Sequence, residues 1–135
     1  MSPVSSSEPH VITAKDAIAR HIRWRVTLQF AVSRQEQLDP EDVHAIDHLN
    51  ECSIGKWLKS SHTVKIRQTP EYRALIARHE EFHREMQKIA RLIESKKFAA
   101  AERALDPDSS FKKAAQAIAS AINAVDSIQT IAIAS

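Results

Sequence analysis

Glycine occurs once in these 135 residues, cysteine once, and aromatic residues make up 5% of the chain. A single glycine and the lack of alternating apolar and polar runs exclude a fold built on tight turns and strands, and the abundant alanine suits helices. One cysteine, Cys52, excludes an internal disulfide and leaves a buried small hydrophobe, a reactive thiol or a metal ligand. An excess of one charge is missing as well: 19 basic against 17 acidic residues leave +2. No basic run is interleaved with aromatics, which argues against nucleic acid as a partner. No apolar stretch approaches the roughly 18 residues of a membrane span. The first ten residues lack a charged segment followed by an apolar one, so no secretory signal is expected and the chain reads as cytoplasmic. Their Ser, Pro and Glu content marks residues 1–12 as a disordered leader, with one domain over 13–135.

What is present begins with helix starts. Asp39-Pro40-Glu41, Thr69-Pro70-Glu71 and Asp106-Pro107-Asp108 each offer a capping side chain, a proline at the first helical position and an early acid. They predict helices over about 40–59, 70–96 and 107–133, after a first over about 13–37, with a short extra turn from Phe98 to Leu105. Ile18, Ile22, Val26 and Phe30 recur every four residues. Leu75, Phe82, Met86, Ile89 and Ile93 follow helical spacing, and Phe111, Ala115, Ile118, Ile122 and Val125 come close to a coiled-coil seam. The expected fold is all-α, an antiparallel four-helix bundle. The aliphatic tail Ile128 to Ile133 is either ordinary core or a dimer seam.

His79-Glu80-Glu81-Phe82-His83 places two imidazoles four apart on one helix face, where both can reach one metal ion. The same letters satisfy the H-E-x-x-H pattern of zinc peptidases, with Glu80 as general base. Further donors decide between these readings. The segment Cys52-Ser53-Ile54-Gly55-Lys56-Trp57-Leu58 joins the only cysteine, the only glycine and one of two tryptophans. Glycine in a helix costs about 1 kcal/mol relative to alanine, so Gly55 is expected to serve a backbone break or a close approach beside Cys52. The other tryptophan, Trp24, lies three residues after His21 on one helical face.

Together, His21-x-x-Trp24, Cys52-x-x-Gly55-x-Trp57-Leu58 and His79-x-x-x-His83 resemble the chemoreceptor zinc-binding (CZB) domain family. The resemblance runs from about His21 to the end of the last helix. It implies a four-helix bundle holding zinc through three histidines and one cysteine, here His21, Cys52, His79 and His83. It also implies a homodimer and a bacterial signalling partner of chemoreceptor or diguanylate cyclase type. Such a closed site suits zinc, which favours tetrahedral N and S donors, and leaves no position for substrate. The closed site reads as a binding module, and the resemblance implies a sensory one: the site reports zinc availability, or an oxidant through the Cys52 thiolate, with hypochlorous acid the oxidant that the resemblance suggests.

Three alternatives compete. A structural, non-exchanging zinc has the same ligands. A peptidase would need Glu80 at work and an open coordination position, which Cys52 and His21 would fill. A di-iron bundle wants two Glu-x-x-His pairs, and only Glu80-x-x-His83 is present. His44 and His48 form an i, i+4, i+8 stripe with Cys52 on one expected helix, but a straight helix cannot wrap three donors around one ion. His48 is therefore expected as an interior polar residue near the site, and His44 as an exposed one. His10 falls in the leader and His62 in a polar loop.

Overall fold

The computed structural model describes residues 14–134, and their side chains except at 14, 62 and 129–134. The expected disordered leader and His10 lie outside the described residues, as do the side chain of His62 and most of the aliphatic tail. All regular structure described is helical: α1 (Ala14–Arg34), α2 (Pro40–Asp47), α3 (Ser53–Leu58), α4 (Pro70–Glu94), α5 (Phe98–Ala104) and α6 (Ser110–Ala134). Short 3₁₀ turns occupy Leu49–Glu51 and Ser61–Ile66.

Two of the three proline starts hold. Before Pro40, the Asp39 carbonyl accepts the Asp42 and Val43 N–H groups, while its carboxylate makes no capping bond. Before Pro70, Thr69 Oγ1 accepts the Tyr72 N–H at 3.2 Å. The third start is displaced: α6 begins at Ser110 rather than at Pro107. Asp106 instead accepts the Ser109 N–H in a turn, and Ser109 Oγ caps the Lys112 N–H at 3.2 Å. Scarce glycine shows at two helix exits, where Gln35 (φ 54°) and Lys96 (φ 60°) take the left-handed conformation themselves. Each closes a Schellman motif, with bonds Glu36 N–H to Ala31 and Lys97 N–H to Leu92.

The expected helix 40–59 is broken. His48 leaves helical geometry (φ −126°, ψ 84°), Leu49–Glu51 form a 3₁₀ turn, and Cys52 is extended (φ −81°, ψ 161°) before α3 opens. Gly55 explains the break: a side-chain carbon there would overlap the Leu49 carbonyl oxygen, which lies directly against the glycine. The use is a close approach, not a left-handed backbone, since no glycine has positive φ. The stripe His44, His48, Cys52 therefore does not exist as one helix face.

The most extensive contact joins α4 and α6; α1 packs on α6 and α5, α2 on α4, and α3 touches both α1 and α4. Phe111, Ile118, Ile122 and Val125 of α6 meet Phe82, Met86, Ile89 and Ile93 of α4 in one buried core. On α1 the core face differs from the expected i+4 line. Ile22, Val26 and Phe30 are more than half exposed, at 55–57%. A strict four-residue repeat drifts about 40° per step around a helix, whereas alternating fours and threes hold one side. Ala17, His21, Trp24, Leu28 and Ala31 have that spacing, and all are buried or half-buried. His21 thus occupies a core position.

Candidate metal centre

Helix α4 presents two imidazoles inward from successive turns: His79 and His83 are each 1% exposed, with ring centroids 4.6 Å apart and nearly perpendicular. The break after α2 brings Cys52 against them. Its Sγ lies 3.1 Å from His79 Nε2 and accepts the Gly55 N–H at 3.4 Å, capping α3. Ligand atoms of Cys52, His79 and His83 all fall within 4.8 Å of one another, and all three residues are buried.

Surrounding groups orient these donors. His83 Nδ1 donates to the Ile46 carbonyl at 2.9 Å, leaving Nε2 free to bind a metal. Gln87 Nε2 donates to the same oxygen at 3.2 Å. Ile46 lies in the last turn of α2, where a helix leaves carbonyls without intrahelical donors. Arg20, next to His21, donates from Nη1 to Ser53 Oγ at 2.8 Å, next to Cys52, so a single bond ties α1 to the start of α3. Neither partner was evident in the sequence, because both depend on the break within 47–53.

His21 is buried but falls outside the 4.8 Å group. Its ring packs 4.6 Å from that of Phe82, and its Nδ1 has no hydrogen-bond partner. A buried imidazole nitrogen without a partner costs about 1–3 kcal/mol. His44 and His48 are both exposed, their rings stacked 4.2 Å apart. His48 is not the interior residue expected: it caps α2, with its backbone N–H on the His44 carbonyl and its Nδ1 3.0 Å from the same oxygen. Glu80 is exposed. Trp57 is buried at 4%, whereas Trp24 is half-buried against the core.

Burial sets the protonation of these groups. It lowers His79 to about 3, with the charge of His83 adding to the effect. It lowers His21 to about 4, against the opposing backbone of Ala115, and lowers His83 against the Ile46 carbonyl. It raises the Cys52 thiol, with the Gly55 and Ile54 N–H groups acting in the other direction. At neutral pH the imidazoles are therefore neutral, as metal ligands must be, while sulfur requires a cation to become thiolate.

The folded values of about 4 for His21 and about 3 for His79 lie below the unfolded 6.5, so the unfolded chain takes up protons first as pH falls. Stability from their neutral burial is complete above pH 6.5 and is lost downward through the folded values. The metal-free protein should lose about 2 kcal/mol per histidine between pH 7 and 5. Urea unfolding at the two pH values measures this, and equal stabilities would count against neutral, buried imidazoles.

The donor set fits zinc. From Zn–S of about 2.3 Å and Zn–N of about 2.0–2.1 Å, sulfur and nitrogen in a tetrahedral site stand about 3.5 Å apart. The Cys52–His79 pair at 3.1 Å needs only a small opening to reach that. A cysteine sulfur and two neutral imidazoles on a helical frame define a class of protein, the helical metal-binding domain with mixed N and S ligands. Residues 21–90 match the chemoreceptor zinc-binding domain family, CZB, and the chain belongs to that family. The match begins at His21 and includes Cys52, His79 and His83. No curated protein and no solved structure gives a significant match.

Proposed function

We propose that this protein is a zinc-responsive regulatory domain whose site comprises His21, Cys52, His79 and His83. The observation that carries the reading is the buried group of Cys52, His79 and His83, with Sγ and Nε2 3.1 Å apart. His21 is assigned as the fourth ligand because its Nδ1 is buried and unpartnered on the helix tied to α3 through Arg20 and Ser53. We read the architecture as an antiparallel four-helix bundle in which broken α2–α3 supplies one member and α1, α4 and α6 the others. Zinc occupancy then draws α1 toward α3 and α4, and this displacement is what a signalling partner of chemoreceptor or diguanylate cyclase type reads in the cytoplasm.

The site is read as binding rather than catalytic, since sulfur and His21 take the positions an activated water would need. Zinc stoichiometry tests the ligand set. His21→Ala should lower zinc per chain or weaken its affinity at least tenfold, while His48→Ala should leave both unchanged. Retention in the first with loss in the second would sink the assignment.

Oxidant sensing through the same site is favoured by one observation: burial keeps Cys52 a thiol unless a cation ionises it. Zinc thus creates the form that hypochlorous acid oxidises, oxygen passing to sulfur as chloride leaves, and the resulting sulfenic acid is a poor ligand. Absence of zinc release at doses that leave the helices intact leaves zinc sensing, or a structural non-exchanging zinc, as the reading.

A homodimer is part of this proposal; Phe111, Ile118, Ile122 and Val125 of α6 are at most 1% exposed and belong to the core of one chain, while most of the aliphatic tail lies outside the described side chains. Among the described residues the exposed large apolar side chains are Val64 and, together on α1, Ile22, Val26 and Phe30, with the Arg34 guanidinium 4.3 Å over the Phe30 ring. Val26→Glu should shift the protein to a monomer in light-scattering chromatography. A dimer that persists places the interface elsewhere.

A further inference from the structure

A cleft of about 340 Å³ opens beside the metal centre, its walls including Asn50, Gly55, Lys59, Ile76 and Glu80, and its lining reaches His79. His79 is only 1% exposed, so the cleft touches a ligand that is otherwise sealed. The broken segment makes this space. The 3₁₀ turn folds back onto Gly55, and turn and α3 line one side of the cleft while Ile76, His79 and Glu80 of α4 line the other. Resting on the zinc-binding reading, we infer that this cleft is the passage by which the hydrated divalent cation reaches and leaves the site, with Glu80 as the carboxylate that takes it up at the mouth.

Size and charge both suit the role. Six waters around an ion occupy about 180 Å³ at roughly 30 Å³ each, so the hydrated cation fits before it sheds them. Glu80 follows His79 directly in α4 and is exposed, so its oxygens replace water at the rim while the imidazole waits below. Lys59 faces the same space and opposes a cation's approach. Among the four proposed ligands, His79 is the one in the lining of this cleft; the other large surface groove on α4, lined by Arg78, Glu81 and Arg84, contains none of them. Glu80 thus acts on the rate of exchange, as a positioning residue rather than a ligand of the bound ion.

Stopped-flow zinc uptake, chelator-driven release and equilibrium affinity, measured on the whole chain with zinc alone, test this. A charge about 6 Å from a divalent ion is worth about three-fold in rate at physiological salt, so Glu80→Gln should slow uptake by that factor and Lys59→Gln should speed it similarly. Glu81→Gln removes the same charge from a residue paired with Arg78 at 2.7 Å and should change nothing. Asn50→Trp, a substitution at an exposed position, should slow uptake and release together by about ten-fold with affinity held within about two-fold. Wild-type exchange rates in a folded Asn50→Trp, or equal effects of Glu80→Gln and Glu81→Gln, overturn the passage while leaving zinc binding intact. Failure of the wild-type chain to take up zinc at all overturns the underlying reading and the passage with it.

Discussion

Cys52→Ala should remove most of the thermal stabilisation that zinc confers, while the metal-free fold loses only the cap on α3, about 1 kcal/mol. Substitution of residues that merely orient a ligand costs about 10–100-fold in affinity, so loss of the ligand itself should exceed about 100-fold. Sulfur is also the only donor among the four that brings negative charge, and three neutral imidazoles leave the ion's full charge buried. With zinc at about 100 times the wild-type dissociation constant, binding stabilises the protein by about 2.7 kcal/mol, and a 100-fold loss reduces this to about 0.4 kcal/mol. For a domain of this size 1 kcal/mol is worth about 3–4 °C, so the zinc-dependent rise in Tm should fall from about 9 °C to about 1 °C. Glu80→Gln should keep the full rise, which separates a ligand from its neighbour. A Cys52→Ala protein with an undiminished rise would remove sulfur from the site.

Gly55→Ala poses a contest between two effects of opposite sign. Helix propensity predicts a gain of about 1 kcal/mol, since Gly55 lies inside α3 without positive φ. Against this, the added carbon overlaps the Leu49 carbonyl oxygen and sits 3.1 Å from Asn50 Cα, both backbone atoms of the turn that cannot rotate away. Overpacking of a buried site costs about 1–3 kcal/mol and more where backbone must move, so the clash wins. The expected result is a Tm lower by about 5–10 °C. Displacing the turn also shifts Cys52, whose Sγ is held by the Gly55 N–H, so zinc affinity should fall as well. A Tm that rises would mean that the Leu49 carbonyl does not press against Gly55.

Both results depend on a segment that periodicity misread. The helix starts at Pro40 and Pro70 were legible because proline and its capping neighbour act locally. Pro107 failed because the same letters also make a turn, and Ser109, two residues on, offered the better cap. The helix expected over 40–59 failed for a non-local reason: nothing in 47–53 forbids a helix, and what breaks it is Leu49 folding onto Gly55. The lone glycine was the one visible trace of that contact. Of the four proposed ligands, the pair His79 and His83 could be read from spacing and Cys52 from the family resemblance, and these three converge; His21, which also rests on the resemblance, lies outside their group. The Ile46 carbonyl that orients His83 was not, because a backbone oxygen becomes available there only where α2 ends. On α1, the eye-catching i+4 row of large apolar residues concealed the less conspicuous heptad of Ala17, His21, Trp24, Leu28 and Ala31 that holds the core.

The left-handed exits at Gln35 and Lys96 have a practical consequence. Both positions hold a conformation that suits glycine, and both lie outside the group of Cys52, His79 and His83. They are therefore places to adjust the baseline robustness of the scaffold independently of the metal. A more robust scaffold would keep its shape under acid or chelators, so that departure of the ion could be watched as a conformational event and not as collapse.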